Sequence, residues 1–215
     1  MNDKVKRTVV FAVGIVLVAV GVLVSVCVGA KNIALPDVLG AIFSYDEDIL
    51  EHVLVHDTRL PRALCAVLVG GVLALSGAMM QGVLRNPVAE PSIMGVNQGA
   101  TLMVSIALVA GLAGGALGGF LMALVGAAVS GGLLLLFTLT NSANQSMARI
   151  LLAGTAMSTF FLALATMVGL LGNRSQELAF WVAGGLRQTG WTQVAVLAVI
   201  GGAFSALAFA WSGKV

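Results

Sequence analysis

Polar residues are scarce in this 215-residue chain, and those able to do chemistry fall into a few groups. The densest runs from Arg59 to Gly99. Arg59 and Arg62 bracket Pro61 just ahead of an apolar run, where a guanidinium offers a planar, persistent charge suited to carboxylates or an anchor at lipid headgroups. The run closes on Gln81, Arg85 and Asn86, and Pro87 and Pro91, with Glu90 between them, forbid its continuation as a helix. Gly95, Asn97, Gln98 and Gly99 then open the next run with polar, backbone-exposing residues. A broken helix is tolerated in a bilayer only where protein or a water-filled cavity covers it, so the break is either a channel- or transporter-like feature or a structural elbow. Further on, Thr155, Ser158, Thr159 and Thr166 scatter hydroxyls among small apolar residues.

His52 and His56 stand four apart with Glu51 and Asp57 beside them, a spacing that could hold a metal. With no third histidine in the chain, a solvated helix face is the expectation and no metal site is assigned. Cys27 and Cys65 lie far apart in apolar stretches and read as small core residues. There is no nucleophile elbow, no Cys/His pairing and no phosphate-cradling glycine loop, so no enzyme and no cofactor are expected. Work driven by ATP would need a separate ATPase. No acid stands at the middle of an apolar run, which disfavours a proton- or sodium-coupled secondary transporter.

These residues must be carried by membrane helices. Apolar residues make up 59% of the chain and charged ones 9%, against roughly 25% charged in a soluble domain. That excludes a soluble enzyme, a nucleic-acid reader and a disordered tail, and a formal charge of +2 implies no polyanionic partner. A crossing needs roughly 20 apolar residues. Six such spans are expected, at about 8–30, 63–84, 92–112, 118–140, 150–172 and 190–212, in one all-α transmembrane domain. The first is too long for a signal peptide's apolar core of roughly 7–15 residues. The turn between the third and fourth falls in the cluster Gly111, Gly114, Gly115, Gly118, Gly119. Gly70, Ala74, Ala78 and Gly82 on the second span, and Gly119, Ala123, Ala127 and Gly131 on the fourth, make flat faces for close helix packing.

Lys4, Lys6 and Arg7 ahead of the first span place the N-terminus in the cytoplasm. Arg85, Arg149 and Lys214 then join them inside, with Lys31, Arg59, Arg62, Arg174 and Arg187 outside. Residues 31–62 form the one sizeable outer segment, which holds six of the nine acids. In it a short amphipathic helix follows Asp46, Glu47 and Asp48 and lies along the membrane surface.

The motif Arg59-Pro61-Arg62, Ser76-Gly77, Gln81, Arg85-Asn86-Pro87, Ala89, Pro91 and Gly95 to Ala100 resembles that of the FecCD-like permeases, the iron-chelate and cobalamin branch of bacterial ABC importers. Arg149 to Gly154, and Phe180-Trp181 with Gly184-Gly185-Leu186 and Trp191, are similar to later blocks of that family. The resemblance implies a multi-pass permease of the bacterial plasma (inner) membrane, surrounded by lipid and paired with a second permease subunit in a homo- or heterodimer. Two cytoplasmic ATP-binding subunits and an extracytoplasmic substrate-binding protein would complete the importer. The cargo it implies is a metal chelate, iron(III)–siderophore first, with cobalamin or haem as alternatives. It further implies that Arg59 and Arg62 dock the binding protein, and that Thr155, Ser158 and Thr159 on the fifth span line the path.

Family members typically have about ten spans, and this chain ends at Trp211 to Val215, after the sixth. It is therefore expected to be the N-terminal part of a longer permease or a truncated product. A non-transporting membrane protein and a secondary transporter stay as the other readings.

Overall fold

A chain in hydrocarbon must satisfy its backbone polar groups internally, and each uncharged run here does so as a helix. The computed structural model describes residues 3–87, 90, 92, 95–112, 114–140, 147–186 and 189–212, and all its regular structure is helical. The helices are α1 (Asp3–Cys27), α2 (Leu35–Phe43), α3 (Leu50–Leu54), a π-helical turn (Val55–Arg59), α4 (Leu60–Leu84), α5 (Val96–Val109), α6 (Gly115–Thr140), α7 (Met147–Leu171), α8 (Ser175–Ala183) and α9 (Trp191–Ser212). Ala89, Pro91, Arg187, Lys214 and Val215 of the sequence reading lie outside the described residues.

The all-α, polytopic architecture is as expected. Among the described residues, five helical stretches are long and apolar enough to cross a bilayer, and α5 is a shorter apolar helix. At 14 residues, α5 rises about 21 Å against a hydrocarbon core of about 30 Å, so the third span is shorter than the 92–112 expected. Gly95 and Gly111, both at positive φ (76° and 70°), bound it. The following turn is also tighter than the glycine cluster suggested, because Gly118 and Gly119 already belong to α6.

The chain divides into two compact units, Met1–Leu73 with Leu186–Ala210, and Ala74–Gly185 with Trp211–Val215. In the first, α1 is exposed along most of its length, with Val10 and Phe11 more than 70% exposed. Only its C-terminal end is held. There Val26 packs with Ile33, Val38, Ala41, Val55 and Ala63, and Val22, Cys27, Leu54 and Leu60 close around them.

Residues 31–62 differ from expectation in two ways. They contain α2, whose start is set by a proline in its first turn, a position where the missing N–H costs nothing. And the helix from Leu50 runs without a break into α4, so the second span has no separate start at residue 63. Pro61 explains the π turn: its nitrogen cannot donate and its ring crowds the preceding carbonyls, and a widened turn ahead of it absorbs both faults.

His52 corrects the sequence reading. Its side is not solvated but buried, at 7% exposure. Nδ1 accepts the Asp46 N–H at 3.2 Å, and Nε2 lies where a Cβ on Gly40 would come within 2.8 Å. His56 is half-buried. Its ring centroid is 4.7 Å from that of Tyr45 and 5.3 Å from that of Trp191, which opens α9. Its Nδ1 is 2.8 Å from Asp57 Oδ1. Partial desolvation of the Tyr45 phenol, then the charges of Asp57 and Glu47, raise its pKa above the ordinary tyrosine value.

In the second unit α5 is the centre. It packs on α6, α7 and α8, and buries Gly99, Val104, Ser105 and Ala107. Two hydroxyls tie it in: Ser105 Oγ donates to the Ala165 carbonyl of α7, and Ser130 Oγ of α6 donates to the Gly95 carbonyl, each at 2.8 Å.

Candidate functional site

The two arginines of the motif sit at one end of α4 and do different things. Arg59 Nη1 donates to the carbonyls of Val26 at 2.6 Å and Cys27 at 3.1 Å, and its Nη2 donates to the carbonyl of Lys31. The last carbonyls of a helix lack intrahelical partners and carry the negative end of its dipole, so a guanidinium is well matched to the C-terminus of α1. A Cβ on Gly29 would stand 3.0 Å from Nη2, which is why the chain passes this fork on a glycine. The same loop is tied again by Lys31 Nζ, 2.6 Å from Glu51 Oε1. Arg62, three residues on, is exposed.

At the other end of α4, Gln81 is exposed in the last turn. Arg85 is exposed and left-handed (φ 48°), ending the helix, while the Asn86 N–H returns to the Gln81 carbonyl at 3.2 Å. Pro87 and Glu90 are exposed.

The glycines that follow are packing devices. Gly95, buried and left-handed, lies so close to α7 that a Cβ would come within 3.2 Å of the Gly154 carbonyl and of Ser158 Oγ. On Gly99 a Cβ would come within 2.7 Å of the Gly126 carbonyl of α6. Motif residue Gly95 and proposed path residue Ser158 are thus brought together, although they come from separate parts of the sequence reading. Gln98 Oε1, in the first turn of α5, is buried with no hydrogen-bond partner among the described residues.

The hydroxyls of α7 separate by face. Ser158 is half-buried against Gly95, whereas Thr155, Thr159 and Thr166 are exposed at helical spacing. Each threonine donates back to its own helix: Thr155 to Leu152 at 3.0 Å, Thr159 to Ala156 at 2.9 Å and Thr166 to Leu162 at 2.8 Å. Hydroxyls satisfied within their own helix leave an exposed face of weak, replaceable polarity.

Sequence reasoning missed Gly126 and Ser130, and it named Gly154 only as the end of a later block and not as the partner of Gly95. The signal was present in part, since Gly126 and Ser130 are four apart and border the small-residue face named on the fourth span. The other face fares differently: Gly70, Ala74, Ala78 and Gly82 are exposed, with nothing within 4 Å of a Cβ on Gly70 or Gly82. No group of three or more His, Cys, Asp or Glu that could hold a metal occurs among the described residues.

Comparison with known proteins follows the same lines. The profile of the FecCD transport family matches residues 17–215. The chain is 37% identical over 201 residues to the iron(3+)-hydroxamate import system permease protein FhuB of Bacillus subtilis, covering 94% of this chain and 52% of that one. It is 30% identical to the Fe(3+)-citrate import system permease protein YfmD of the same organism, covering 97% and 62%. It is 37% identical to the vitamin B12 import system permease protein BtuC of Salmonella paratyphi A, covering 82% and 52%. The chain thus spans about half to three-fifths of the length of these relatives. A solved structure provisionally described as a metal-chelate type ABC transporter, inward-facing, superposes with a TM-score of 0.76 over 96% of this chain and 62% of that one, at 24% identity. That likeness shows the fold. Together with the motif from Arg59 to Gly99, the profile match establishes that the chain belongs to the FecCD transport family.

Proposed function

We propose that this chain forms part of the permease of a binding-protein-dependent ABC importer that moves a metal chelate, iron(III)–siderophore first, into a bacterial cytoplasm. The observation that carries the reading is the family match over residues 17–215, whose relatives include permeases named for ferric hydroxamate and ferric citrate. Cobalamin is the second reading, favoured by equal identity to a B12 permease. The protein would sit in the inner membrane with its N-terminus inside, alongside a second permease subunit. Two ATP-binding subunits would supply the energy and a binding protein would deliver the cargo.

Within that reading the arginines divide their work. Arg59 holds the end of α1, and Arg62, exposed beside it, is the docking residue for carboxylates on the binding protein. Gln81, Arg85, Asn86, Pro87, Glu90 and Pro91 form the cytoplasmic connection. Thr155 and Thr159 face the path, whereas Ser158 supports it from behind by seating Gly95. A wall of sparse, self-bonded hydroxyls offers a bulky chelate no tight site in which to stall.

The test is uptake of radiolabelled ferric hydroxamate and of cobalamin by the chain with its partners in proteoliposomes. Uptake that needs the ATPase supports the importer; uptake that survives ATPase loss on a proton gradient makes it a secondary transporter. Thr155→Cys and Thr159→Cys should react with a water-soluble thiol reagent faster than lipid-facing controls. Equal rates would remove both from the path.

A further inference from the structure

We propose that α2 is an interfacial helix, embedded in the headgroup–acyl boundary of the leaflet in which α1 ends, with lipid itself as the occupant of its open face. The sequence pattern assigned the membrane surface to the segment near Ile49, but the structure places the unpartnered apolar stripe on α2. Val38 and Ala41 turn into the cluster at the end of α1, and Gly40 seats His52. Leu35, Leu39 and Ile42, which recur at helical spacing on a neighbouring arc, are 45–47% exposed, and Phe43 beside them is 81% exposed. The helix is thus apolar around far more of its circumference than its protein contacts cover, and Asp37 is its one charge.

Two features fix its depth. First, α2 starts only eight residues after α1 ends, and the Val26–Ile33–Val38–Ala41 contacts hold it at the level where α1 leaves the hydrocarbon. Its open face is therefore continuous with the exposed apolar surface of α1. Second, the segment that leaves α2 places Tyr45 against His56, whose ring also meets Trp191, and Tyr and Trp concentrate at the membrane–water interface. Lys31 before the helix and Asp46, Glu47 and Asp48 after it put charge at its ends and leave the stripe clear. A short amphipathic helix in this position buries its apolar side a few ångströms below the headgroups. It would brace the end of α1 alongside Arg59, which donates to the Val26 and Cys27 carbonyls. This inference concerns the fold and is independent of any cargo.

The experiment is a depth measurement in lipid nanodiscs. Nitroxide labels are attached at Leu39→Cys, Phe43→Cys and Asp37→Cys, each in a chain carrying Cys27→Ala and Cys65→Ala. Collisions with oxygen, which partitions into lipid, are compared with collisions with a water-soluble nickel chelate. The oxygen-to-nickel ratio at residues 39 and 43 should exceed that at 37 by about fivefold or more. A ratio equal at all three sites means a solvated helix and overturns the proposal. Low collision with both reagents at 39 and 43 means that protein covers the stripe, and overturns it equally. Should the cysteine-free chain fail to fold, Phe43→Trp in the native chain gives the same answer against the background of the three native tryptophans. Added fluorescence quenched by acyl-brominated lipid supports the proposal; quenching by aqueous acrylamide, or by neither, refutes it.

Discussion

α1 and α5 are both uncharged along their apolar stretches, yet they are held in opposite ways. α1 is long enough to cross the bilayer and is exposed along most of its length, fixed by an apolar cluster and one guanidinium at its end. α5 is too short to cross unaided and is enclosed by α6, α7 and α8, with glycines where the backbones meet. The difference shows what hydropathy measures in a membrane protein. Lipid and protein are equally acceptable to a leucine, so both helices read alike, while small residues and buried hydroxyls mark the one that needs neighbours.

The sharpest way to break this contrast is at Gly99. Gly99→Ala drives a methyl into the Gly126 carbonyl and should destabilise the bundle by about 3 kcal/mol, read by denaturant or thermal unfolding in detergent. Gly14→Ala in α1, with nothing within 4 Å, should stay within about 0.5 kcal/mol. Similar losses at both positions would abolish the distinction.

Next is the end of α1. Arg59→Gln leaves three carbonyls without their cation and should cost about 2 kcal/mol. It should also speed maleimide labelling of the half-buried Cys27 by about fivefold, as the helix end opens more often. Arg59→Lys should fall between, because an ammonium reaches a carbonyl without forking over several. Unchanged labelling would leave the apolar cluster as the only anchor.

A smaller loss should follow Ser130→Ala, which removes the donor to the Gly95 carbonyl: about 1 kcal/mol. Thr166→Ala, whose hydroxyl bonds only within α7, should be near neutral in the same unfolding assay.

The mildest effect is a titration. Tyr45 is the one tyrosine in the sequence, so an ultraviolet difference titration reads it alone. Its raised pKa means that the phenolate should appear at higher pH than in free tyrosine, and Asp57→Asn should move the midpoint down. Because the folded value lies above the unfolded one, any stabilisation linked to the phenol is complete below the unfolded pKa. It is lost as pH climbs through the folded pKa.

Particular residues show how far the sequence could be read. The break after Leu84 was legible because Pro87 removes a donor and fixes a backbone angle whatever surrounds it. The helical character of the apolar runs was legible for the same kind of reason. Pro61 was legible only as a disturbance: whether it ends a helix or bends one depends on what precedes it, and the structure chose a π turn in an unbroken helix. His52 and His56 looked equivalent, and only the placement of α2 buried the first under Gly40 and left the second among aromatic rings.

The sequence by itself determined the solvent of this protein, its all-helical architecture and the family to which it belongs. All three follow from composition and from local constraints carried by single residues. The tertiary structure decided that Arg59 caps α1 while Arg62 stays exposed, that Ser158 seats Gly95 while its neighbouring threonines face outward, and that the open apolar stripe belongs to α2. Those outcomes depend on which helix face meets which neighbour, and in a chain this uniformly apolar the pattern of hydrophobicity carries almost no information about facing.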